Sequence, residues 1–147
     1  MAEERISAYE DKGGFTIKSS IKGDRLVGLS YEPPFEYFLR ERENGAFVVL
    51  SDDYVTADSG TGLVHQAPAF GEEDYRVLNE NGIEAFVCPV GLDGCFTSEV
   101  FDLEGQHVKD ADKQIITALK DQGKLFRQEV IQHSYPYCYR SDTPLIY

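Results

Sequence analysis

One histidine and one carboxylate share a stretch of unusual composition. His65 and Asp74 both lie in GTGLVHQAPAFGEEDY, residues 60–75, where Gly60, Gly62 and Gly71, one proline and three acids crowd together. Glycines let the backbone turn tightly and approach a ligand closely, so polar groups converging there suit a small-ligand pocket. Neither Ser59 nor Ser134 has the G-x-S-x-G setting of a nucleophile, so a catalytic triad and a covalent acyl-enzyme are not indicated. The glycine spacing is neither G-x-G-x-x-G nor a Walker loop, which leaves phosphate cradling without support. What remains is a polar pocket in which Asp74 binds an ammonium and His65 presses against a side chain. The ordinary alternatives stay open beside it: a lone strand histidine is commonly a hydrogen-bonded core or edge residue, and an acid in a first helical turn suits the positive end of the helix dipole.

The flanking elements have to position these groups. Thr61 to Gln66 reads as a strand, with Leu63 and His65 on one face and Val64 on the other. Pro68 to Gly71 reads as a loop, and Glu72 to Asn81 as a helix stopped by Gly82. Asp74 precedes Leu78 by one helical turn and shares its apolar, inward side, where a carboxylate needs a cationic partner. Upstream, Glu3 to Tyr9 reads as a short helix ended at Lys12-Gly13-Gly14. Phe15 to Ile21 alternates as a strand, and Gly23-Asp24 turns the chain into an extended Leu26 to Tyr31 that Pro33-Pro34 ends. Phe35, Tyr37 and Phe38 form an aromatic cluster, LRERENG a solvated loop, and Ala46 to Leu50 and Tyr54 to Ala57 short strands. Downstream come strands at Ile83 to Val90 and Cys95 to Val100 around a Gly91–Gly94 turn. Asp110 caps a helix to about Gln122, with Ile115, Ile116 and Leu119 on its apolar face and Gly123 closing it. Leu125 to Gln132 reads as a last strand. Many short strands with few helices predict a mainly β fold, closed or nearly so, with the helices packed outside it. No repeat, low-complexity segment or linker divides residues 1–147, which read as one domain.

Composition narrows the chemistry. The 147 residues carry 14 basic and 26 acidic side chains, a net charge of −12, which disfavours sequence-independent phosphate binding and with it DNA as a partner. Hydrophobic residues at 41% and aromatics at 12% predict a folded core. No apolar run reaches the roughly 20 residues of a membrane span, and MAEERISAYE has no apolar signal core, so a soluble, cytoplasmic protein is expected. Cys88, Cys95 and Cys138 are odd in number and unpaired in spacing, which fits buried thiols in a reducing compartment. His133 with Cys138 supplies only two metal ligands, so no metal site is expected.

The central stretch extended by two residues, GTGLVHQAPAFGEEDYRV, resembles the signature of the editing domain inserted in isoleucyl-tRNA synthetases, which are class I aminoacyl-tRNA synthetases. The valine and leucine enzymes share the GTG and the later acid but typically carry lysine or methionine where His65 stands. IKGDRLVGLSYEPPFEYF, residues 21–38, resembles the segment ahead of that signature. HSYPYCYRSDTPLIY, residues 133–147, resembles the strand returning to the aminoacylation domain. The resemblance implies a small closed β-barrel with peripheral helices. It further implies hydrolysis of mischarged valyl-tRNA(Ile), with valyl-adenylate as a further candidate substrate. By the same resemblance Asp74 holds the α-ammonium and His65 excludes the larger isoleucyl group. Gly60, Thr61, Gly62, Ala67, Pro68, Ala69, Phe70, Gly71 and Tyr75 line the substrate site. Editing would need no cofactor, ATP being used by the aminoacylation part of the full-length enzyme. The partner would be the aminoacyl 3′ end of tRNA(Ile), docked mainly by the rest of the synthetase, with no membrane involved. The family's threonine-rich peptide has no counterpart here, since the threonines are scattered, and an N-terminally incomplete site is therefore expected. A fragment that only holds the aminoacyl moiety, and a valine-enzyme domain that removes threonine, are the rival readings.

Overall fold

Local chain signals account for the helices. The computed structural model describes residues 1–12, 16–130, 134 and 136–145. Helix α1 runs Glu72–Glu80 and helix α2 Val108–Asp121. Both end in the same way. Gly82, with φ of 69°, donates to Asn79 O at 3.1 Å while Ile83 N reaches Leu78 O at 2.9 Å. Gly123, with φ of 65°, donates to Lys120 O at 3.0 Å while Lys124 N reaches Leu119 O at 2.9 Å. These paired bonds satisfy carbonyls that the helix itself leaves open, and they need a residue that accepts the left-handed conformation. The expected glycine stops are therefore where the sequence puts them. The start of α2 differs: His107 is its N-cap, accepting from Lys109 N at Nδ1, and Asp110 lies inside the first turn.

The mainly β barrel is not what the chain forms. Among the described residues there is no β-strand, and antiparallel pairing stops at isolated bridges between Ser30 and Val48, Val90 and Phe96, Cys95 and His107, and Tyr137 and Pro144. Alternation in a sequence marks extended backbone, but a ladder also needs a partner segment of matching length and register. Here the extended pieces 16–22, 63–67, 83–89 and 124–130 have no such partner. Ile17 and Ile21, the apolar positions of the expected first strand, are 61% and 62% exposed. Ser30 pairs with Val48 over a short length only, since Gly28 turns the chain with φ of 83° and Phe47 itself sits at φ of 62°. Tyr54 begins no strand, Cys95 to Val100 leaves its bridge for a 3₁₀ turn at Ser98–Val100, and LRERENG becomes the 3₁₀ helix Leu39–Asn44 rather than a loop. The end of the expected last strand, with His133, lies outside the described residues.

The chain divides into two compact units. The first comprises Met1–Glu32 and Arg40–Ala85. It opens with a 3₁₀ helix, Glu3–Lys12, and buries Val77 of α1 and Ala85. Asn44 O accepts from the amides of Glu84 and Ala85 at 3.0 and 3.1 Å, which ties the chain after α1 to the end of the Leu39–Asn44 helix. The second comprises Pro33–Leu39 and Phe86–Tyr147. Its core is Val100, Leu103 and Ala111, packed by Tyr37, Phe38, Phe96 and Ile115. The expected aromatic cluster thus becomes a wall of this core, with Tyr37 donating to the carboxylate of Asp102 at 2.7 and 2.9 Å. Burial, and then the Asp102 charge, push the Tyr37 hydroxyl up to about 12.

Candidate functional site

The central stretch lies wholly within the first unit. It starts as a turn, residues 60–62, in which Gly60 and Gly62 take φ of 53° and 77°. Extended chain follows over residues 63–67, then a turn at 68–70, and Gly71 leads into α1 with extended φ and ψ of −149° and 128°. Without strand pairing, alternation does not assign faces here. Leu63, Val64 and His65 are all exposed, so Val64 does not pack inward opposite His65. The His65 imidazole has no hydrogen-bond or ion-pair partner among the described residues.

Asp74 is placed differently. It occupies the third position of α1 and is half-buried. Its Oδ2 accepts from Ala67 N at 2.9 Å, and its Oδ1 accepts from the Tyr54 hydroxyl at 3.4 Å. Gln66 Nε2 donates to the same hydroxyl at 3.1 Å. The carboxylate therefore reaches back across residues 67–71 and closes that loop onto the helix start. Gly71 makes room for it, since a Cβ there would stand 2.8 Å from Asp74 Oδ2. An ionised carboxylate offers about four acceptor positions, so two accepted bonds leave capacity for a cationic group. Asp74 also lies where the helix dipole favours negative charge, together with Glu72 and Glu73.

Sequence reasoning missed three supports. Tyr54 and Gln66 are the first two. Nothing local marks Tyr54 as reaching Asp74, 20 positions on, although an aromatic hydroxyl beside an apolar run is a signal that it needs a partner. Arg5 is the third: its Nε donates to Gly60 O at 2.9 Å and its Nη1 to Asp58 O at 3.0 Å. Beside it Ala2 N donates to Thr61 O at 2.7 Å. The back of α1 is held by Arg76, which pairs with Asp52 at 2.9 Å and with Glu73 and Glu80 at 2.8 Å. The Arg76 guanidinium lowers the Asp52 carboxyl from its usual value, helped by the Tyr54 amide, and the hydrogen bonds raise Arg76 in turn.

The residues assigned to one site are thus a held half and an open half. Ala67, Gly71 and Asp74 are brought together with Tyr54 and Gln66, while His65 extends to solvent and Tyr75 is exposed on α1. Pro68, Ala69 and Phe70 form the half-buried turn between, closed by Phe70 N on Ala67 O at 2.9 Å. Among the described residues no group of three or more His, Cys, Asp and Glu side chains is arranged to hold a metal ion. None of the three cysteines is in a disulfide, and contrary to a buried-thiol expectation Cys88 is exposed. A shallow depression of about 530 Å³ along α2, between Asp110 and Asp121, belongs to the second unit and holds none of the candidate site residues.

Comparison with known proteins accords with the signature. No family model matches the chain. It is 60% identical over 149 aligned residues, its whole length, to an isoleucine–tRNA ligase of Bdellovibrio bacteriovorus. It is 50% identical over its whole length to the cytoplasmic isoleucine–tRNA ligase of Mus musculus, and 55% identical over 90% of its length to that of Saccharomyces cerevisiae. The sequence is therefore that of an aminoacyl-tRNA ligase segment. Its family is that of the isoleucine–tRNA ligases, to which it belongs as one segment spanning 12 to 14% of the length of these relatives. No helix among the described residues is long and apolar enough to cross a membrane.

Proposed function

We propose that the chain is the editing segment of an isoleucine–tRNA ligase and hydrolyses the ester of valyl-tRNA(Ile), acting in the cytoplasm. The observation that carries the reading is the Asp74 carboxylate, fixed at the head of α1 by Ala67 N and Tyr54 with acceptor capacity to spare. In this reading Asp74 takes the substrate's α-ammonium, the loop of residues 67–71 flanks the aminoacyl group, and the Gly60–Gly62 turn lies along the ester. His65, which has no partner among the described residues, is the element that limits side-chain size.

The physical need for a second site follows from small differences in apolar contact. One methylene is worth only about 1–3 kcal/mol in an apolar pocket, isoleucine–tRNA ligases being themselves the standing illustration of this limit. A site that admits valine and overlaps with isoleucine corrects what attraction alone cannot. An aminoacyl ester is already activated, so a positioned water and oriented hydrogen bonds are sufficient chemistry for its hydrolysis. With a net charge of −12 the chain attracts tRNA phosphates poorly, and docking of tRNA(Ile) falls to the rest of the ligase. Aminoacylation with ATP belongs to that larger enzyme as well.

The test is single-turnover deacylation of valyl-tRNA(Ile) and isoleucyl-tRNA(Ile) by this chain. The expected result is slow but measurable cleavage of the valyl ester and none of the isoleucyl ester. Equal cleavage of both, or of neither, refutes the reading. A second reading, binding of the aminoacyl end without turnover, is favoured by one observation: among the described residues His65 has no partner to orient it as a base. Saturable binding of a valyl-tRNA analogue with no cleavage selects it.

A further inference from the structure

We infer that Arg5 is a positioning residue of the site, setting the Gly60–Gly62 turn from the 3₁₀ helix Glu3–Lys12. The inference rests on the editing reading above and adds to it a residue far from the signature in sequence. Arg5 donates to Gly60 O at 2.9 Å and Asp58 O at 3.0 Å, across sequence separations of 55 and 53. Ala2 N donates to Thr61 O at 2.7 Å. Two carbonyls of the turn, Gly60 and Thr61, and that of Asp58 just ahead of it are thus bound by Arg5 and by Ala2, the residue before the helix.

The fit is steric as well as polar. Gly62, at φ of 77°, comes so close that a Cβ on it would stand 2.5 Å from the Ala2 methyl group. Two left-handed glycines carry high conformational freedom when unfolded, and a turn made of them is well ordered only where something outside holds it. Among the described residues, the side-chain ties inside the turn are those of Thr61 Oγ1, which donates to Leu63 O at 3.2 Å and accepts from Leu63 N at 3.3 Å. The guanidinium supplies what a lysine cannot, two donors in a rigid fork spanning alternate carbonyls. With those carbonyls committed, the amides of residues 60–62 donate to no acceptor among the described residues and are the groups the turn offers to a substrate oxygen.

The experiment compares the chain with Arg5→Met and Arg5→Lys, following single-turnover deacylation of valyl-tRNA(Ile) against enzyme concentration and amide hydrogen exchange at Leu63, whose N–H is held by Thr61 Oγ1. Arg5→Met is expected to lower the saturating rate by roughly ten- to a hundredfold, the scale of a misplacement near 1 Å, with half-saturation changed less than about twofold. Exchange at Leu63 rises in parallel, and Arg5→Lys recovers part of both. A residue that merely stabilised the fold would move the melting temperature and leave the saturating rate of the folded fraction unchanged. If Arg5→Met does not fold, Arg5→Lys decides by the same two readouts. A parental rate in the variants overturns the inference while leaving the editing reading intact. A parent chain that cleaves no valyl ester overturns that reading first, and this inference with it.

Discussion

Asp74 Oδ2 accepts the Ala67 amide at 2.9 Å, so the acid proposed to read the substrate also closes the loop in front of its own helix. Two effects of one side chain are separable by substitution. Asp74→Asn keeps an acceptor for Ala67 but removes the charge, and is expected to abolish binding of a valine analogue with little change in melting temperature. Asp74→Ala loses both, with about 1–3 kcal/mol of stability lost alongside, as for a hydrogen bond to a charged group. Calorimetric titration and thermal melts of the two variants check this, and retained affinity in Asp74→Asn would remove Asp74 from ammonium recognition.

Gly71 has an ordinary extended backbone, so the cost of replacing it is steric. A Cβ would stand 2.8 Å from Asp74 Oδ2 and 3.0 Å from its Cγ. Gly71→Ala is therefore expected to push the carboxylate off Ala67 N and to weaken valine-analogue binding at least tenfold, roughly 1.4 kcal/mol. Parental affinity in this variant would show that the carboxylate has room to relax without loss.

His65 is exposed and has no partner among the described residues, and substitutions at such positions change stability by about 0.5 kcal/mol or less. His65→Ala should melt with the parent chain. In a deacylation assay it should begin to cleave isoleucyl-tRNA(Ile), and continued rejection of isoleucine with valyl cleavage intact would place the size limit on another residue.

Alkaline unfolding should report Tyr37. Its hydroxyl is raised from 10.0 to about 12 in the folded chain by burial and by Asp102. The unfolded chain then loses this proton first, so the stabilisation is full below pH 10.0, declines above it and is gone once the folded group titrates near 12. Tyr37→Phe should flatten that part of a denaturation-against-pH curve, and an unchanged slope would assign the loss to other groups.

Acid unfolding should report Asp52. The Arg76 hydrogen bond lowers its carboxyl, so its contribution is present above the unfolded value and is lost as pH falls through the lower folded one. Arg76→Met is expected to be less stable near neutrality and to approach the parent at low pH, measured by urea melts across that range.

What could be read from the chain without its fold is what a few neighbouring residues encode. The end of α1 at Gly82 and of α2 at Gly123, the Gly91–Gly94 turn, and the signature around His65 and Asp74 all depend on residues within a turn or two of one another. Aromatic spacing at Phe35, Tyr37 and Phe38 likewise marked a cluster, of which Tyr37 and Phe38 pack on the core and Phe35 stacks on Tyr37. What only the tertiary structure decided is which distant groups meet. Arg5 with Gly60, and Tyr54 with Asp74, are pairings over many residues that no periodicity announces, because they depend on loop closure and on which surfaces pack. The missing sheet has the same cause. Alternating side chains at 16–21 and 63–66 go with an extended conformation, but pairing belongs to two segments at once, and neither of these segments forms a bridge among the described residues.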